Sequence, residues 1–223
     1  MNSNEFIESL DLELEPLRNE LVNSNYVQNL ISGGYNMKQF VELMKQRYAF
    51  IRENPYIIAS WIQACPDREV RDIFIDYLHE ETPHPEYLIG FAKEAGLDPQ
   101  EFIDCQPIPE LGAFSYYYYW LSRGHIVEIA AANNFASEGV NKRYSKQFLE
   151  AVRKYYGGYP SLVKLQDEHH EEEGSHSNIG RYVLEKYAVT ADLQKKAAFA
   201  AKQVLKIRIR ALAALHEMVQ PLK

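Results

Sequence analysis

An all-α fold, a helical bundle in a single domain, is what this sequence predicts, and three observations predict it. Apolar residues recur three and four apart almost throughout, no stretch alternates strictly over several turns, and Asn, Pro and Gly stand where helices would start and stop. A first helix is expected over 5–23, and a short second over 26–32 stops at Gly33-Gly34. Asn36 caps a third, MKQFVELMKQRYAFIREN, which ends before Pro55 because the residue preceding a proline avoids helical backbone. A fourth covers 56–64. Pro66-Asp67 opens a long helix toward a stop at Gly96, but Pro83 and Pro85 interrupt it. A proline inside a helix costs about 3 kcal/mol, so a break is expected there. After the turn LDPQEFIDCQPIPE, helices follow over 111–121, 125–140 and 144–156, the last ended by Gly157-Gly158. Pro160 opens a helix that reaches Tyr187, and Thr190 or Asp192 caps the final one, which ends near Val219.

The chain has 223 residues, at the upper end for one domain and short for two. No composition break, low-complexity tract or repeat divides it, so one domain over 1–223 is expected. A chain this long buries roughly 70% of its unfolded surface and needs no disulfide or structural metal merely to fold. Its 24 basic and 31 acidic side chains leave a charge of −7, which weighs against nucleic-acid or anionic-membrane partners. Two cysteines are too few for a disulfide framework or a zinc ribbon. The acidic start lacks the order of a signal peptide, and no apolar run approaches the ~20 residues of a membrane helix. A cytoplasmic protein is the expectation.

Five of the seven histidines fall in two acidic clusters, His79-Glu80-Glu81-Thr82-Pro83-His84 and Asp167 to His176. A solvated charged face is one reading of each; helical phase favours another. Val70, Phe74, Tyr77, Glu81, His84 and Leu88 form one stripe, so a carboxylate and an imidazole continue an apolar face. Leu162, Leu165, His169, Glu173, His176, Gly180 and Val183 form a second stripe. At 100° per residue, positions 169, 173 and 176 lie within roughly 60° of each other. In the helix over 125–140, Val127, Ala131, Phe135 and Glu138 share a face, which turns Glu138 inward; a helix-end glutamate in solvent is the alternative. Ionised carboxylates beside an apolar core must be paired or coordinate a metal. Mixed carboxylate and imidazole donors suit iron, then manganese, and zinc less well. Glu81, His84, Glu138, His169, Glu173 and His176 suit two metal ions with open positions better than one closed ion.

These residues carry a resemblance. Glu80-Glu81-Thr82-Pro83-His84, the inward Glu138 before a glycine, and H-x₃-E-x₂-H at His169, Glu173 and His176 resemble the haem-oxygenase-like diiron oxidases and oxygenases. That superfamily shares an all-helical fold with thiaminase II and pyrroloquinoline-quinone synthase, and the likeness spans roughly 26–187. It implies two Fe(II) per chain, O₂ as co-substrate, oxidation of a small amino acid or fatty acid, and a homodimer. The Glu81-x-x-His84 spacing is similar to the alkene-forming decarboxylases. SNYVQNLISGGYNMKQF is similar to the chlamydial p-aminobenzoate-forming proteins of folate synthesis, with Tyr26 at the position of their sacrificed tyrosine. Their further tyrosine falls at Leu43 here, and Phe148 stands where they have a lysine. Tyr26 and Tyr48 are the candidate catalytic tyrosines. Either Glu80 or Glu81 is the first ligand. A cofactor-free enzyme on the same fold, working by proton transfer, is the competing reading, and a non-catalytic metal-binding domain is a third.

Several residues are assigned lesser roles. Cys65 and Cys105 have no neighbours that would lower a thiol pKa, which disfavours thiaminase chemistry. His170 points about 100° from the triad. Arg208 and Arg210 are suited to clamping a carboxylate, but a solvated helix face is the simpler expectation.

Overall fold

The computed structural model describes residues 1–222, leaving out the side chains of residues 171–176. Among the described residues every regular element is helical. The first part of the chain forms α1 (Ser3–Val22), α2 (Asn25–Ser32), α3 (Met37–Ile51), α4 (Asn54–Ala64), α5 (Arg68–Glu81) and α6 (His84–Glu94). Then come α7 (Pro99–Ile103), α8 (Pro109–Leu121), α9 (Ile126–Ala130), a π-helical segment (Ala131–Glu138) and α10 (Gly139–Asn141). α11 (Ser145–Tyr155), α12 (Pro160–Tyr187) and α13 (Ala191–Val219) complete the bundle, with a 3-10 turn over Gln220–Leu222. No helix among these residues is long and apolar enough to cross a membrane.

Local chemistry explains most boundaries. Asn36 and Gln39 cap α3 reciprocally, each side chain accepting from the other's backbone N–H. Thr190, rather than Asp192, caps α13, its hydroxyl accepting from Leu193 at 3.3 Å. After α6, Gly96 takes the left-handed φ of 70° that lets the Leu97 N–H return to the Ala92 carbonyl at 2.9 Å. One expected turn is a helix: Asp98 caps Gln100 at 2.9 Å and Pro99 starts α7, which is too short to show periodicity.

Two departures from regular α-helix position the site. The long helix is divided at Thr82-Pro83, so that Glu81 ends α5 and His84 begins α6. The rings of Pro83 and Pro85 remove two ladder donors, and at the last turn before them both the backbone N–H and the hydroxyl of Thr82 donate to the Leu78 carbonyl, at 3.0 and 2.6 Å. The expected helix over 125–140 is α-helical only at its ends, with the π-helical segment between. That wider winding buries Asn133, Asn134 and Ser137 along with Phe135 and leaves Glu138 half-buried, off the phase an α-helix would give it. α12 and α13 both pack against the π-helical segment, α6 lies along α12, and α8 and α9 lie along α13. Gly180 of α12 touches it so closely that an added methyl group would stand 2.6 Å from the Phe135 nitrogen. The core is aromatic: Phe40 stacks on Tyr156 at 3.9 Å, and buried Trp61 donates its Nε1–H to the Tyr118 carbonyl at 3.0 Å.

Candidate metal centre

The break after Glu81 turns two side chains toward α12. Glu81 is 3% exposed and His84 fully buried, so each needs a polar partner. His84 Nδ1–H donates to Glu81 Oε2 at 3.1 Å, and the Asn54 amide donates to the same oxygen at 3.1 Å. From α12, the His169 ring stands 4.4 Å from that of His84. Glu81, His84 and His169 each offer a ligand atom, and these atoms lie within 4.8 Å of one another. His169 Nδ1–H donates to the Leu165 carbonyl at 2.7 Å. That bond fixes the tautomer, leaving the Nε2 lone pair as the ligating atom.

The electrostatics suit a cation. Burial alone would raise the Glu81 carboxyl, but the His84 hydrogen bond, the charges of His84 and His169, and the Asn54 amide hold it at about 2. Burial, with the charges of His84 and Arg47, lowers the His169 imidazole to about 3, against the weaker opposing pull of Glu81 and Leu165. The pair is thus an ionised carboxylate and a neutral imidazole, the forms that bind metals. In metal-free protein the unfolded chain takes up a proton at His169 near pH 6.5, whereas the folded chain does so only near 3. Stability therefore falls as pH is lowered from 6.5 toward 3. The Glu81 contribution, complete above its unfolded value of 4.5, is lost as pH falls toward 2. Urea midpoints measured from pH 7 to pH 4 should decline more steeply for the wild type than for His169→Gln; equal slopes would refute the assignment.

The centre opens into a cavity of about 170 Å³. Glu138 also lines it, held by the Asn141 amide at 3.2 Å, but lies outside the group formed by Glu81, His84 and His169. Both Glu81 and Glu138 act on Tyr77, whose phenol is pushed well up by burial and then by these two charges. Asn133 donates to the Tyr77 oxygen at 3.2 Å. Glu173 and His176, the other expected ligands, lie outside the described side chains. Of the two candidate acids at the break, Glu81 faces the histidines while Glu80 is exposed.

Other predicted residues divide between cavity and surface. Tyr26 is buried on the cavity wall, raised to about 12 by burial. Tyr48 is not brought to the site; it packs on Phe102 at 6.4 Å and under Arg52 at 5.8 Å, on another face of α3. Arg208 is a correction: it reaches the cavity wall instead of solvent because the Ser137 carbonyl, Asn141 and Tyr144 draw it in at 3.2, 2.6 and 2.9 Å. Arg210 is exposed. Neither cysteine lines the cavity, and burial pushes both thiols up. Arg47, Asn54 and Gln166 were not anticipated. Phe40, Met44, Arg47 and Ile51 follow a 4-3-4 spacing, the same signal that marks Glu81, and Gln166 lies three residues before His169.

Residues 41–209 match the family described as iron-containing redox enzyme. No curated protein is similar enough to match. Several solved structures are similar. A domain of unknown function with a heme oxygenase-like fold from Shewanella denitrificans has TM-score 0.80 at 17% identity, covering 99% of this chain and 94% of that one. A TenA homologue from Pseudomonas syringae pv. tomato has TM-score 0.81 at 14% identity, with coverages of 97% and 96%. A TenA homologue from Pyrococcus furiosus has TM-score 0.78 at 15% identity, with coverages of 94% and 99%. At such identities the likeness is one of fold.

Proposed function

The chain belongs to the iron-containing redox enzyme family and has the haem-oxygenase-like fold, and from that premise we propose that it is a non-haem diiron oxygenase or oxidase that oxidises a small carboxylic or amino acid. The observation that carries this reading is the convergence of buried Glu81 and His84 with half-buried His169 at the edge of a largely apolar cavity. Two imidazoles and a carboxylate are donors that iron accepts well. Glu81, His84 and His169 would hold one ion, with Glu138, Glu173 and His176 completing a pair. Iron bound there supplies the electrons that reduce O₂ and the oxidising power spent on the substrate.

The protein's own contribution is orientation and dryness. Leu165 holds the His169 ring, and Asn54 keeps Glu81 ionised and aimed. Trp61, Phe114 and Leu212 wall the cavity against water, which strengthens every charge interaction inside it. Asn141 holds Glu138 on the cavity wall, where it can bind metal or accept a proton. The cofactor-free alternative draws on the same residues, but an imidazole held at about 3 and a carboxylate held at about 2 are weak bases at neutral pH, which favours the metal reading.

Anaerobic titration of metal-free protein with Fe(II), followed by O₂, tests the reading. The expected result is two irons per chain and a transient visible absorbance. One iron would overturn the paired centre in favour of a mononuclear site that lacks Glu138 or one histidine. No binding would overturn the proposal and leave the cofactor-free enzyme.

A further inference from the structure

Two guanidinium groups and one amide enter the cavity from three different helices: Arg47 from α3, Arg208 from α13 and Gln166 from α12. Arg208 donates to the Ser137 carbonyl, Asn141 and Tyr144, which aim it at the cavity. Arg47 is braced over the Phe148 ring at 5.4 Å. Both line the cavity together with Tyr26, and both act electrostatically on its phenol. Gln166 is 4% exposed, yet its Nε2 has no hydrogen-bond partner among the described residues. A buried donor left unmade is unfavourable, and an acceptor supplied by a ligand removes the penalty.

We propose that Arg47, Arg208 and Gln166 form the carboxylate-binding end of the cavity, and that the site thereby selects a monocarboxylic acid with an apolar body over an amino acid. This deepens the reading above and rests on the cavity being the substrate site. A carboxylate fits a guanidinium pair because each planar fork offers two parallel donors. The amide adds a third direction of donation. The apolar walls, including Phe50, Ile58, Phe114 and Leu212, suit hydrocarbon. Among the described lining residues an α-ammonium group has no such provision. The only acidic side chains among the described lining residues are Glu81 and Glu138, both candidate metal ligands. At about 170 Å³ the space resembles an engineered ~150 Å³ cavity that holds benzene, so a single ring or a short chain fits.

Calorimetric binding to the metal-free protein at pH 7 tests this with three probes of one carbon skeleton: hexanoate, hexanamide and norleucine. Hexanoate should bind about tenfold more tightly than either of the others, a difference of roughly 1.4 kcal/mol. Arg47→Gln and Arg208→Gln should each remove about that factor for hexanoate and leave hexanamide unmoved. Gln166→Leu should weaken hexanoate several-fold while its melting temperature stays level or rises, which a structural amide would not allow. Equal affinities for hexanoate and hexanamide, tighter binding of norleucine, or no binding of hexanoate would each overturn the proposal. If an arginine variant fails to fold, the wild-type probe comparison and Gln166→Leu still decide it. Because the assay contains no iron, its outcome is independent of the iron titration.

Discussion

His169→Ala is expected to lower Fe(II) affinity at least a hundredfold and to abolish O₂-dependent chemistry, while the helical signal in circular dichroism is retained. His169 is the only described side chain of α12 in the converging trio, so its loss leaves Glu81 and His84 without the imidazole that closes the group. The fold should tolerate the change, because His169 hydrogen-bonds only to the Leu165 carbonyl of its own helix and is not part of the apolar core. Asn54→Ala acts on the same centre one step removed. Losing a partner that orients a ligand typically costs 10–100-fold in metal affinity, so Asn54→Ala should fall between wild type and His169→Ala. If His169→Ala binds two irons as tightly as wild type, the ligand assignment is wrong.

Gly180→Ala should destabilise the protein by about 2 kcal/mol, opposite in sign to the usual effect of this change inside a helix. Replacing a helical glycine with alanine ordinarily gains about 1 kcal/mol of propensity. Here the new methyl group meets the Phe135 nitrogen at 2.6 Å, and the Asn134 carbonyl carbon and Cβ at 3.0 Å. Two of those atoms are backbone, so α12 and the π-helical segment must separate. Overpacking of this kind costs up to about 3 kcal/mol, which outweighs the propensity gain. The displaced helix carries His169, so iron affinity should weaken as well. Calorimetric melting and an iron isotherm check both effects. A variant more stable than wild type would show that the two helices yield freely.

Much of this arrangement is legible in the sequence because it rests on helical phase. Glu81, His84 and His169 interrupt apolar stripes that the fold does bury, and the proline break between the first two follows from two missing donors. α12 runs from Pro160 to Tyr187, the bounds set by a proline start and the last periodic residue. The π-helical segment is not legible, because its winding is imposed by α12 and α13 on either side and no residue type marks it. It also explains Arg208, whose acceptors lie on that segment and just beyond it, at Ser137, Asn141 and Tyr144. Tyr48 shows what residue type alone does not carry, since a tyrosine on α3 can face either way. Its ring packs on Phe102 and under Arg52, on a face of α3 that does not line the cavity.

His84 and His169 meet across 84 residues of intervening chain. In polymer terms, joining two such points closes a loop whose entropy loss is about 4–5 kcal/mol. An unfolded chain would have to bear that loss before a cation could be held by both imidazoles. Such an ion therefore cannot act as the seed of folding. It arrives at a contact that the packing of α6 on α12 has already made, and from then on it works as a staple between the two halves of the chain.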